Sequence, residues 1–151
     1  MVDYDSTADT LNHIGKVRAR LQECIGQLEA RSWTHDSSKL EEPEKSAYDV
    51  ATPKLKGLTY GSDEYKANVA ELGAALKHHY AANSHHPEHY PNGIDGMSLF
   101  DVVEMFCDWK AATERHADGD MQRSIEVNRD RFAMSGQLCS IFENTRKLME
   151  W

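Results

Sequence analysis

Apolar residues recur at spacings of three and four near the start of the chain: Leu11, Ile14, Val17, Leu21, Ile25 and Leu28. That period predicts a helix from about Thr10 to Arg31, with Asp9 or Thr10 as its cap. His13 lies one turn before Val17, on the edge of the stripe. A second, shorter helix is predicted to start around His35 to Ser37. It should break or kink at Pro43, whose ring does not fit a helix interior. Thr52 to Gly61, with Pro53, Gly57 and Gly61, reads as a connection. Ser62 can cap a third helix, with Asp63 and Glu64 favourable in its first turn. Its apolar face steps through Tyr65, Val69, Leu72, Leu76 and then His79. This points His79 inward and His78 to the side.

The segment from Asn83 to Gly96 contains Pro87, Pro91, Asn92-Gly93 and Gly96, and reads as a loop. Ser98 opens a fourth helix, with Asp101 completing a capping-box variant and Leu99, Val102, Val103 and Phe106 as the main apolar face. Asp101 and Asp108 share a different face, for which solvation is the simple explanation. From Asp120 to Trp151 the pattern is again helical, with a break at Ser135-Gly136. The one β-like run, Leu58 to Tyr60, is too short to count. The predicted architecture is all-α, a single domain over residues 1–151 with about five to six helices.

Composition narrows the functional classes. Hydrophobic residues at 40% and charged ones at 28% describe an ordinary globular chain. A formal net charge of −8 disfavours duplex nucleic acid and anionic membrane surfaces as partners. No apolar run approaches the ~18 residues of a membrane span, and the acidic N-terminus lacks the character of a signal peptide. Cys24, Cys107 and Cys139 are scattered, form no framework, and read as small buried hydrophobes. A reducing, cytoplasmic setting is expected, and the apolar helices can supply a homodimer face.

Histidine then changes the picture. The chain has eight histidines, and five of them, His78, His79, His85, His86 and His89, fall within HHYAANSHHPEHYP. His35 is followed directly by Asp36. Imidazole and carboxylate together are ligands for zinc, iron, manganese and similar ions. Their spread over several predicted elements points to a centre assembled by folding. Both His85 and His86 lie in a loop without a period, so the pattern does not choose between them. By position, His78 and His89 read as solvent-facing or as partners behind the ligands, and Arg123, Arg129, Arg131, Asn128 and Trp33 either cover the cleft or, as is usual for such residues on a helix, are solvated surface. Glu88, Glu104 or Asp101 could orient imidazoles by accepting their other N–H.

The order H … HD … H … H … D, carried by His13, His35-Asp36, His79, His85-His86 and Asp108, resembles the HD superfamily of metal-dependent phosphohydrolases, which are all-helical. The stretch HHPEHYPNGIDGMSLFDVVEMFCD is also similar to the segment that names the HD-GYP branch. His89 stands where that branch has glycine and the loop is about four residues shorter, so cyclic dinucleotide hydrolysis is not carried over. HDxSK, LTYGSDEYK and HHYxxNSHHPEHYPxG further resemble a family of small bacterial and phage HD-like proteins, over roughly Asn12 to Asn144.

The resemblance implies an HD-like helical bundle and one or two divalent transition ions, with zinc, manganese, iron, nickel and cobalt not distinguished. It implies that His13, His35, Asp36 and Asp108 hold a first ion. His79 and His85 or His86 would hold a second, with Asp36 bridging and catalytic. Lys39 matches a lysine that contacts substrate phosphate. The expected activity is hydrolysis of a nucleotide or other small phosphoester by metal-activated water. Two alternatives carry the same ligands: an HD-type di-iron oxygenase, and a non-enzymatic module that uses the metal for stability while binding a ligand or protein.

Overall fold

The long N-terminal period becomes α1, Thr7–Thr34, in the computed structural model, which describes residues 4–59, 62–115 and 119–151. The helix starts earlier than predicted because Asp5, and not Asp9 or Thr10, serves its first turn. The Asp5 carboxylate accepts from the Thr7 amide at 3.0 Å and the Thr7 hydroxyl at 2.6 Å. No residue of α1 is buried, and Leu11, Ile14, Val17, Leu21 and Ile25 are all exposed. Chain packing divides the molecule into two units, Met1–His35 and Asp36–Trp151.

The second unit opens with a short 3-10 turn, Ser37–Leu40, entered through Asp36 at a left-handed φ of 56°. The expected break at Pro43 is present: Pro43 stands at the N-cap of α2, Glu44–Leu55. Pro53 lies inside α2, so the predicted connection begins only after Leu55. Near the end of a helix a proline costs a single intrahelical hydrogen bond. Tyr60 and Gly61 lie outside the described residues.

Ser62 caps α3, Asp63–Ala70, by accepting the Tyr65 amide at 3.1 Å. The single helix predicted from Ser62 through His79 is two. Gly73 adopts φ +50°, which glycine takes without a Cβ penalty, and the chain restarts as α4, Gly73–Ala82. The loop beyond forms two 3-10 turns, Pro87–His89 and Gly93–Gly96. The Ser98–Asp101 capping box opens α5, Leu99–Thr113. Asp120 and Ser135 cap α6, Met121–Arg131, and α7, Gly136–Leu148. The described residues thus hold seven α-helices and no strand, all-α as expected, with one more helix than the stated range.

The core of this unit is Met105, Phe106 and Trp109 on α5 packed with Met121, Ile125, Met134 and Phe142. Phe106 and Phe142 stack with ring centroids 4.6 Å apart. The predicted apolar face of α5 is rotated: Leu99 is exposed while Asp101 is 2% exposed. The cause is Asp101, whose carboxylate accepts from Ser84 and Ser98 hydroxyls (2.6 Å each), the Ser98 amide (2.8 Å) and the Tyr90 hydroxyl (2.9 Å). Four donors turn that side of the helix inward, so the Asp101–Asp108 face is not a solvated acidic face. The cysteines also differ from expectation, since Cys24 and Cys107 are exposed and Cys139 half-buried. Among the described residues no helix is long and apolar enough to cross a membrane.

Candidate metal centre

Asp36, His79, His85 and His86 come from three separate stretches of the second unit, yet one ligand atom of each lies within 4.8 Å of all the others. Asp36 Oδ1 is 3.4 Å from His79 Nε2 and 3.5 Å from His85 Nε2, and the Nε2 atoms of His79 and His86 are 2.8 Å apart. His79 and His85 are 1% and 2% exposed. The local sequence explains each placement. Asp36 sits in the left-handed region, which aspartate tolerates better than most residues. The inward phase of α4 carries His79, as its spacing predicted. His85 and His86 ride on a loop that Asp101 fastens at Ser84, Tyr90 and Ser98. Gly96 permits that loop its closure, because a Cβ there would meet Tyr90 Cβ at 2.7 Å.

Behind the ligand atoms stand two carboxylates. Glu104 Oε1 is 3.1 Å from His85 Nδ1. Glu44, fully buried at 0% exposure, holds His78 Nδ1 at 2.8 Å with one oxygen and His79 Nδ1 at 2.9 Å with the other. Of the three acids the sequence offered for this role, Glu104 takes it, Asp101 is spent on the loop, and Glu88 pairs with Arg131 at 2.6 Å. Glu44 was not foreseen. An acid in the first turn of a helix is favourable on electrostatic grounds alone, so nothing in the sequence distinguishes it. Asn83 and Ser38 were missed too: Asn83 Nδ2 donates to Ser38 Oγ at 2.8 Å.

The cluster is rich in negative charge. Burial, followed by the neighbouring His85 and His79, lowers His86 to about 3. Burial, followed by the Lys39 charge, also lowers His79. His79 and His86 are therefore neutral near pH 7. For Glu44, burial would raise the carboxyl, but the bonds from His78, Ser38 and His79 outweigh it and hold the group below its ordinary value. Asp36, Glu44, Glu104 and Asp108 are the carboxylates beside the rings. An ammonium also pairs with the cluster: Lys39 Nζ lies 2.5 Å from Asp36 Oδ2 and 5.1 Å from the centroid of the Tyr48 ring. Three imidazoles and a carboxylate with ligand atoms this close suit a cation among the Nε2 atoms and Asp36 Oδ1.

The other sequence candidates fall as follows. Asp108, on α5, is half-buried, and its charge acts on His86. His13 is an exposed residue of α1, and His35 caps that helix's C-terminus, its amide donating to Arg31 O at 2.8 Å. Both belong to the first unit. His78 is half-exposed behind Glu44 and His89 donates from Nδ1 to Tyr80 O at 2.9 Å. His116 lies outside the described residues. Arg131 Nη2 reaches Tyr80 Oη at 3.4 Å, and the Tyr80 ring lies 5.0 Å from that of His86. Asn128, expected at the surface, is 0% exposed, because it donates to Ser124 O at 3.0 Å on the inward face of α6.

A family described as a family of unknown function, DUF5662, matches residues 2–148. No curated protein and no solved structure matches the chain.

Proposed function

The chain belongs to the DUF5662 family, and from its histidine–aspartate cluster we propose a metal-dependent phosphohydrolase of HD-superfamily type, acting on a nucleotide or other small phosphoester. Asp36, His79, His85 and His86 would hold a divalent transition ion. The observation that carries the reading is their convergence, with the His79 and His86 rings neutral. Ligands at 2.0–2.2 Å in a tetrahedral shell lie about 3.3–3.6 Å from one another, and cis ligands in an octahedral shell about 2.8–3.1 Å. The distances from Asp36 Oδ1, 3.4 and 3.5 Å, match the first and the 2.8 Å between His79 and His86 approaches the second. Three imidazoles and one carboxylate favour zinc, manganese, iron, nickel or cobalt over calcium or magnesium.

A bound ion of this kind supplies water activated near neutral pH and charge neutralisation for a phosphoryl group. The chain's own contribution is position and charge. Asp36 Oδ1 faces the histidine nitrogens and would hold the ion, while Oδ2 holds Lys39, which sets the Lys39 ammonium at the edge of the cluster to meet a phosphoryl oxygen. Phosphoryl transfer depends mostly on such placement and neutralisation. The ligands ride on short elements, and a small substrate fits the reading better than a polymer. A cytoplasmic setting accompanies it, in keeping with three cysteines in the free state.

Metal-loaded protein should hydrolyse members of a nucleotide and phosphomonoester panel. Asp36→Asn should abolish turnover, and Lys39→Met should reduce it chiefly through KM. No turnover above the metal-free and Asp36→Asn controls across the panel counts against the proposal.

A further inference from the structure

We infer that Glu44 is the positioning residue that decides which nitrogen His79 presents to the cation. The inference rests on the metal reading above and concerns a residue outside the ligand set. It follows from counting hydrogens around one buried ring.

His79 Nδ1 has two neighbours, Glu44 Oε2 at 2.9 Å and Asn83 Nδ2 at 3.0 Å. The amide nitrogen of Asn83 has two hydrogens, and both have better acceptors: Ser38 Oγ at 2.8 Å and His79 O at 2.9 Å. Ser38 in turn hydrogen-bonds Glu44. An ionised carboxylate only accepts, so Glu44 Oε2 requires a hydrogen on His79 Nδ1. A neutral imidazole carries one hydrogen, which leaves a lone pair on Nε2. That atom is the one facing Asp36 Oδ1 at 3.4 Å and His86 Nε2 at 2.8 Å. Glu44 therefore turns His79 into a ligand. In the opposite tautomer the ring would direct an N–H into the centre and could not coordinate.

The same carboxylate binds His78 through its other oxygen. His78 sits at the half-exposed end of this chain of contacts and holds Glu44 against rotation. Glu104 makes the corresponding contact to His85, but it is partly exposed, whereas Glu44 has no solvent to compete for its oxygens.

The test uses the full chain and zinc alone. Zinc affinity is measured by competition with a chromophoric chelator for the wild type, Glu44→Gln and His78→Ala, with metal-free thermal melts confirming the fold. In parallel, imidazole 15N spectra of the metal-free wild type report which His79 nitrogen is protonated. We expect Glu44→Gln to bind zinc roughly 10–100-fold more weakly, the range typical when a partner behind a ligand is lost. His78→Ala, which keeps the Glu44–His79 bond, should lose less. The wild-type spectrum should show His79 protonated at Nδ1. Wild-type protein that fails to bind zinc overturns the metal reading itself. Zinc bound as tightly by Glu44→Gln as by the wild type overturns only the role of Glu44. So does a wild-type His79 protonated at Nε2, a result independent of whether Glu44→Gln folds.

Discussion

Loading the cluster with zinc should stabilise the unit Asp36–Trp151, and the size of the effect can be set in advance. An ion that binds only the folded chain adds about 2.7 kcal/mol when its free concentration is a hundred times its Kd. In a unit of this size 1 kcal/mol moves Tm by roughly 4 °C, so the melting temperature should rise by about 10 °C. The perturbation is Asp36→Asn. It removes the only carboxylate among the four clustered ligand atoms but keeps a residue suited to φ 56°. Asp36→Ala would be a poorer choice, since left-handed backbone costs an ordinary L-residue about 1–2 kcal/mol. A hundredfold loss of affinity returns Kd to the zinc concentration used and leaves under about 0.5 kcal/mol of the original stabilisation. Melts followed by circular dichroism, with and without chelator, read this directly. His89→Ala serves as the control, because His89 is committed to Tyr80 O outside the cluster. The reasoning is refuted if zinc leaves the wild type unmoved, or if Asp36→Asn gains as many degrees as the wild type.

Three further outcomes are expected. In chelator-treated protein, stability should fall with pH between about 6.5 and about 3: His86 is depressed to about 3 by burial and then by its neighbours His85 and His79, so the unfolded chain takes up the proton first and its contribution, complete above about 6.5, is lost on acidification. Denaturant melts across that range should show a shallower slope for His86→Asn than for the wild type. Phe142→Ala, which empties a site 3% exposed and unstacks Phe106, should cost about 3–5 kcal/mol in a urea titration. Gly96→Ala should cost about 1–3 kcal/mol by driving a methyl into Tyr90. It should also weaken zinc binding, since Tyr90 helps fasten the histidine loop to Asp101; an unchanged Tm speaks against this close approach.

How far the sequence carried depended on whether a signal was local. The helical period, the Ser62 and Ser98 caps, the break at Pro43 and the inward aim of His79 follow from spacing and backbone stereochemistry, and each is present. So is the meeting of Asp36 with His79 and His85-His86, for which the order of residues along the chain was the signal. What spacing could not supply was the rotation of a helix about its own axis when a polar residue, not an apolar one, is tied inward. Asp101 shows this: its four donors come from three places in the chain, and they turn its side of α5 away from solvent.

By itself the sequence determined an all-helical chain and the ligand types available to it, because helix period and side-chain chemistry are properties of neighbouring residues. Only the tertiary structure decided that Glu44, an unremarked acid beside a proline, is buried between two imidazoles, and that Glu104 rather than Asp101 stands behind His85. Those roles depend on which hydrogens meet which lone pairs between segments tens of residues apart, and no pattern along the chain records that.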